Sequence, residues 1–238
     1  TVNAGEYAKL VHSCIEQIKS RDKMPILCGG AGLYFRALNS GIFDQSKSEL
    51  KIRKNLEDQY DGGNAQEMMN TLKKIDPEYY MHVHINNKKR LIRALEIYEG
   101  TGKTPSEHFK NQKNKPAPNL NLFSVYLNWD RIELRDRISK RTAAMIKNGW
   151  IDEVKKIIEK YPGVNLHPLD SIGYRQIVSY LNNNISLECL ESEINTKTYQ
   201  YAVRQIKWFK KENMNLIIKM NSGTITSQIV KKILSFIN

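Results

Sequence analysis

Apolar positions along the chain repeat with two periods. Tyr7, Leu10, Val11, Cys14, Ile15 and Ile18 recur at steps of three and four, which predicts a helix over residues 6–20. Met24-Pro-Ile-Leu-Cys-Gly-Gly30 is a short apolar run closed by glycines and predicts a buried strand; Ala31–Leu38 then predicts a helix. Strand, glycine turn and helix form the building unit of a parallel α/β sheet. Residues 47 to about 115 are charged, helical in pattern and nearly free of strand signals, with Gly62-Gly63 and Asp76-Pro77 as punctuation. Asn111–Asn121 is polar, contains two prolines and reads as a linker. A strand over 122–127 follows, then a helix from Asp130 toward Asn148, where Asp130 and Glu133 suggest a capping box. Further helices are predicted from Ile151 to Tyr161-Pro-Gly163, after Gly173, over about 187–212 and over 224–237, with a strand at Leu216–Met220.

This pattern implies an α/β core from residues 1–46 and 119–238, interrupted by a helical insertion at 47–118. Three strands make a thin parallel core, since the inner strands lack neighbours. An N-terminal portion outside this chain is therefore expected.

Composition narrows the function class. The chain has 238 residues, 40% of them hydrophobic, enough to bury a core. No apolar run has the length of a membrane span, and nothing resembles a signal peptide. Cys14, Cys28 and Cys189 are scattered, fit reduced thiols and make the cytoplasm the expected compartment. His82 and His84 have no partner ligands nearby in sequence, so no metal site is assigned to them. The net charge of +12 favours an anionic partner, nucleic acid first, although lysines spread over every face would bind nothing in particular.

Several segments could carry chemistry. Gly100-Thr-Gly-Lys-Thr104 looks like half of a phosphate-binding loop, but position 97 is Ile where that loop needs Gly. Leu91, Ala94, Leu95 and Tyr98 show that a helix ends there, and phosphate prefers a helix start. Gly29-Gly30-Ala31-Gly32 could bring backbone N–H groups to a phosphate, or form only a tight turn. Arg137 and Arg141 lie on one helical face and could hold a diphosphate, or decorate a solvated face. Ser171-Ile-Gly-Tyr-Arg-Gln176 places a glycine at a helix start, followed by polar side chains suited to a phosphate or base. Lys88, Lys89, Arg90 and Arg93 open a helix at the end where its dipole disfavours cations, which asks for a reason beyond helix stability. Trp208, accompanied by Ile206 and Phe209, reads as core.

In this order the motifs resemble the tRNA dimethylallyltransferases. The matching pieces are Pro25–Tyr34, His84–Glu96, Gly102-Lys-Thr104, Arg137–Arg141 with Met145, Ile172–Gln176 and Arg204–Trp208, spread over nearly the whole chain. The resemblance implies a P-loop NTPase-like parallel core with its N-terminal part missing, and transfer of a dimethylallyl group from dimethylallyl diphosphate to N6 of adenine 37 in tRNA. It implies that Gly29, Gly30, Ala31, Arg137 and Arg141 face the diphosphate, with Arg141 catalytic. Arg53, Lys89, Arg90, Leu91, Ile92 and Arg93, together with Ser171, Ile172, Gly173, Tyr174, Arg175 and Gln176, would meet the tRNA anticodon stem-loop. Mg²⁺ is implied as cofactor, with ligands expected upstream of Thr1, and the protein is expected to be a monomer.

The chain departs from the family pattern at Ala31, where Thr is usual, at Asp170, where a basic residue is usual, and at Tyr199 and Val203, which often are basic. The family's P-loop and catalytic Asp would lie before residue 1. A diverged tRNA-binding relative without transfer, and a nucleoside kinase relative, are the competing readings; the second gives no reason for an arginine-rich insertion.

Overall fold

The computed structural model describes residues 2–41, 50–113, 120–164 and 166–237. The chain divides into two compact units, Thr1–Asn121 and Leu122–Asn238.

In the first unit, α1 (Ala4–Lys19) starts on a capping box. Asn3 accepts from the Gly5 and Glu6 N–H groups, and Glu6 accepts from the Asn3 N–H. Val11 and Ile15 are its buried stripe, and Tyr7 stacks on Tyr34 of α2 (Gly32–Asn39) with ring centroids 4.2 Å apart. Between these helices the predicted strand at Met24–Gly30 is absent: the segment forms no strand, and Ile26 is 79% exposed. The physical reason is pairing. An apolar run becomes a strand only against a neighbour that takes up its N–H and C=O groups, and no described strand lies beside it.

The rest of this unit is helical, as the pattern predicts. It comprises α3 (Leu50–Gln59), a π-helical turn (Tyr60–Asn64), α4 (Ala65–Ile75), α5 (Pro77–Tyr80), α6 (Lys88–Thr101) and α7 (Pro105–Lys113). Leu56, Met68, Met69, Leu72, Leu91, Ile92 and Leu95 meet in one core built by α3, α4 and α6. The predicted insertion boundaries at 46/47 and 118/119 lie outside the described residues, as does most of the predicted linker; α7 runs into the linker as far as Lys113.

Gly102 ends α6 in the left-handed conformation (φ 67°), and its N–H donates to the Tyr98 carbonyl at 2.8 Å. The residues after it dock against the unit. Thr104 and Glu107 form a capping box for α7, at 2.7 and 3.3 Å. Asp76, 3% exposed, accepts from the Ser106 N–H at 2.8 Å, the Ser106 hydroxyl at 2.7 Å and the Tyr79 N–H at 2.9 Å. Burial pushes the Asp76 carboxyl up, but the bonds from Ser106, Tyr79 and Thr104 outweigh it and hold the group below its ordinary value. A depressed folded value means the stabilisation is present above the unfolded value and is lost as pH falls through the folded one, below about pH 4. Asp76→Ala leaves two N–H donors unpaired and is expected to cost about 2–4 kcal/mol at neutral pH. Urea midpoints should show the gap to the parent narrowing toward pH 3; equal midpoints at pH 7 would remove this contact from the account.

In the second unit, β1 (Val125–Trp129) pairs in parallel with β2 (Leu216–Met220), Val125 opposite Leu216 and Trp129 opposite Met220. The first strand sits later than the predicted 122–127, because β2 sets the register. Leu216, Ile218 and Met220 point one way and pack with Ile229 and Ile233 of α12 (Thr226–Ile237). The parallel pairing agrees with the predicted sheet type, but the described sheet has two strands rather than three. The chain is mostly helical. Between the strands run α8 (Arg131–Lys147), α9 (Trp150–Lys160), a 3₁₀ turn (His167–Asp170), α10 (Tyr174–Leu181) and α11 (Leu187–Phe209). Trp150, Val154, Ile177, Leu190 and Ile194 form their core. Asp130 caps α8 through the Ile132 and Glu133 N–H groups, but the reciprocal half of the predicted box is not made: Glu133 Oε2 is buried without a hydrogen-bond partner.

Candidate functional site

The predicted diphosphate residues are divided between the two units. In the first, Gly29 and Gly30 lead into Ala31, which occupies the N-cap of α2 without any side-chain cap bond. The turn is open, with no heavy atom within 4 Å of where a Gly29 Cβ would stand. A helix start suits an anion. A Thr in place of Ala31 would add a hydroxyl at the N-cap, so this departure from the family pattern removes one donor from the turn.

In the second unit, Arg137 and Arg141 lie one turn apart on α8, both exposed. The Arg137 guanidinium stacks 4.1 Å from the centroid of the Trp129 ring, which fixes its plane and leaves its N–H edge for an acceptor. Arg141 makes no hydrogen bond or ion pair with the described side chains and is the more available cation. Trp129 carries no sequence signal for this role beyond being aromatic; only the fold brings it under Arg137.

The predicted tRNA residues of the first unit separate into three kinds. Lys89 and Arg90 are exposed at the start of α6, whose cap Asn87 accepts from the Arg90 N–H at 3.4 Å. Arg53 is exposed and paired with Glu57 at 3.0 Å. Arg93 bonds Glu96 at 2.8 Å, and that carboxylate is buried, so Arg93 helps hold the helix. Leu91 and Ile92 are core residues, 0% and 3% exposed, and their side chains pack against α3 and α4. A basic run on a helix cannot be read as one surface, since consecutive residues point 100° apart. Burial pushes the Tyr79 hydroxyl above its ordinary value, and the nearby Arg90 and Arg93 partly counter this.

The Ser171–Gln176 segment is built around Gly173. It has φ 94°, and its N–H donates to Gln176 Oε1 at 2.8 Å. Gln176 is buried, and its side-chain oxygen closes this turn. Ser171 and Arg175 are exposed; the Ser171 hydroxyl donates to the Pro168 carbonyl at 2.7 Å, and Arg175 donates to the Asp170 carbonyl at 2.8 Å. The Arg175 guanidinium also stands 3.9 Å from the Asp170 carboxylate, so this departure from a basic residue lowers the local positive charge. Tyr174 donates to Glu153 at 2.7 Å, and this bond, with burial, raises its hydroxyl above the ordinary value. Ile172 is half-buried.

Among the described residues, no group of three or more His, Cys, Asp or Glu side chains could hold a metal ion. Among them also, no helix is long and apolar enough to cross a membrane.

Residues 1–212 match the family model described as IPP transferase. The chain is 36% identical to the tRNA dimethylallyltransferase of Halothermothrix orenii over 211 residues, which is 88% of this chain and 64% of that protein. It is 36% identical to that of Christiangramia forsetii over 210 residues, 88% of this chain and 68% of that one. The chain thus spans about two thirds of the length of these relatives. The full-length tRNA isopentenylpyrophosphate transferase of Bacillus halodurans superposes with a TM-score of 0.64 at 29% identity, over 100% of this chain and 73% of that one. A eukaryotic dimethylallyltransferase acting on tRNA gives 0.79 at 27% identity, over 98% and 62%. This chain belongs to the IPP transferase family.

Proposed function

We propose that this chain provides the tRNA-gripping surface and part of the diphosphate site of a tRNA dimethylallyltransferase. The observation that carries the proposal is the family match over residues 1–212, with relatives named for this activity across 88% of the chain. In the reaction, N6 of adenine 37 attacks C1 of the dimethylallyl group. The C1–O bond breaks, its electron pair leaves with the diphosphate, and N6 gives up a proton. The proton acceptor is not assigned to a residue of this chain. Arg141 and Arg137 would stabilise the charge growing on the leaving diphosphate. The Gly29–Ala31 turn, at the start of a helix in the other unit, is of the kind that meets a diphosphate. Mg²⁺, where bound, would share that charge. The adenine leaves its stack to reach the donor, as bases do in enzymes that act on them.

On this reading residues 1–46 and 119–238 belong to a P-loop NTPase-like core and 47–118 to an inserted tRNA-binding domain. Lys89, Arg90 and Arg53 would meet phosphates of the anticodon stem-loop, with Ser171, Ile172, Gly173, Tyr174 and Arg175 forming a second contact. A monomer suffices for such a reaction, and a tRNA substrate makes the cytoplasm the expected compartment.

Disrupting the gene and measuring nucleosides from bulk tRNA by mass spectrometry tests the activity. Loss of N6-dimethylallyladenosine and its derivatives is expected; an unchanged level would overturn the proposal. The grip has its own test. A Lys89→Ala/Arg90→Ala double variant is expected to weaken binding of an anticodon stem-loop RNA and to reduce the salt slope by about two. Arg93 is left intact because of its buried partner. Fluorescence anisotropy across a salt series reads both quantities, and an unchanged slope would return these residues to a solvated face.

A further inference from the structure

A groove of about 380 Å³ lies in the first unit, lined by Gln66, Met69, Tyr80, Met81, Val83, His84 and Ile85. It plays no part in the contacts assigned above. Its lining mixes apolar side chains, one tyrosine ring and two polar side chains, and Met81 stands 77% exposed. One cation stands over its tyrosine and a second over a neighbouring ring. The Lys73 ammonium lies 5.8 Å from the Tyr80 ring centroid. The Lys88 ammonium lies 5.6 Å from the Tyr60 ring centroid, and the Tyr60 hydroxyl donates to the carbonyl of Ile85, a groove residue, at 2.9 Å. Lys88 is also paired with Asp61 at 2.6 Å, which leaves Lys73 as the more available charge.

The two polar side chains of the lining offer complementary groups. His84 Nδ1 accepts from the Asn86 N–H at 3.2 Å, so in the neutral ring Nε2 carries the proton and is a donor. The Gln66 amide donates to Asn70 at 3.2 Å, and its carbonyl oxygen is an acceptor. A cleft that combines apolar side chains, one tyrosine ring, a donor, an acceptor and a cation beside that ring suits a single unstacked nucleotide: base inside, phosphate beside the cation. A peptide would find no comparable use for the flanking charges, whereas a polyanion is attracted by them.

We infer that this groove takes an unstacked nucleotide of the bound RNA, with its base against Tyr80, Met69 and Ile85 and its phosphate beside Lys73. The inference rests on the tRNA reading and adds a nucleotide-sized contact to it. It makes Tyr80 and Lys73 binding residues, and it predicts that loop nucleotides, not stem pairs, are read here.

The test uses the whole chain and two RNAs, an anticodon stem-loop and a blunt duplex of equal length. Tyr80→Leu is expected to weaken stem-loop binding about tenfold while leaving duplex binding unchanged, from base–aromatic stacking of about 1–3 kcal/mol. Tyr80→Phe keeps the ring and should restore it. Lys73→Gln, at an exposed position, should lower the salt slope for the stem-loop by about one. Equal weakening for both RNAs, or unchanged stem-loop affinity in Tyr80→Leu and Lys73→Gln, would overturn the groove assignment. Were the parent chain to bind no stem-loop RNA, the tRNA reading itself would fall, an outcome distinct from loss of the groove alone.

Discussion

Replacing Gly173 with alanine is expected to destabilise the second unit by about 3 kcal/mol or more, through overpacking and backbone strain together. A Cβ built there would stand 2.0 Å from Trp150 Cη2 and 2.3 Å from its Cζ2. Trp150 is buried beside Val154, Ile177 and Leu190, so the ring has nowhere to retreat. The positive φ of 94° adds a conformation that L side chains rarely adopt. Thermal or urea unfolding of the whole chain measures the loss. Gly29→Ala is the control, because its Cβ would meet open space, and it should leave stability almost unchanged. A Gly173→Ala protein as stable as the parent would mean that the Trp150 contact is wrongly described.

Arg141→Gln is expected to lower the rate of prenyl transfer about 10²-fold or more in the whole enzyme, with RNA affinity little changed. The glutamine keeps a donor but removes the charge proposed to meet the leaving diphosphate. Arg137→Gln should show a smaller loss in rate and some loss of stability, because its guanidinium also covers Trp129. Single-turnover rates at saturating dimethylallyl diphosphate separate the two residues. Full activity in Arg141→Gln would remove this arginine from the chemistry.

What could be read in the sequence depended on how local the deciding interaction is. The helices of both units were legible because an amphipathic stripe and a capping residue lie within a few positions of each other, as at Asn87 and Gly102. The rejection of Gly-Thr-Gly-Lys-Thr as a phosphate loop was legible for the same reason. The strand predicted at Met24–Gly30 failed because strand formation is decided by a neighbour, which a pattern within the segment cannot supply. The candidate site divides in the same way. The motifs carried the family, but which members of a motif face outward needed the fold. Arg93 pairs with buried Glu96, Leu91 and Ile92 fill the core, and Gln176 serves the Gly173 turn. Trp129 and Trp150 matter through contacts with Arg137 and Gly173, made across gaps in sequence that no short-range periodicity spans.

The contact between Asp76 and Ser106 joins positions 30 apart in sequence. Its consequence is kinetic. The Ser106 amide proton is held by a buried carboxylate, so it exchanges with solvent only when α7 comes away from α5. That single amide therefore serves as a clock for the opening of the first unit. Its exchange rate, followed with and without an anticodon stem-loop RNA, would report whether added RNA slows that opening.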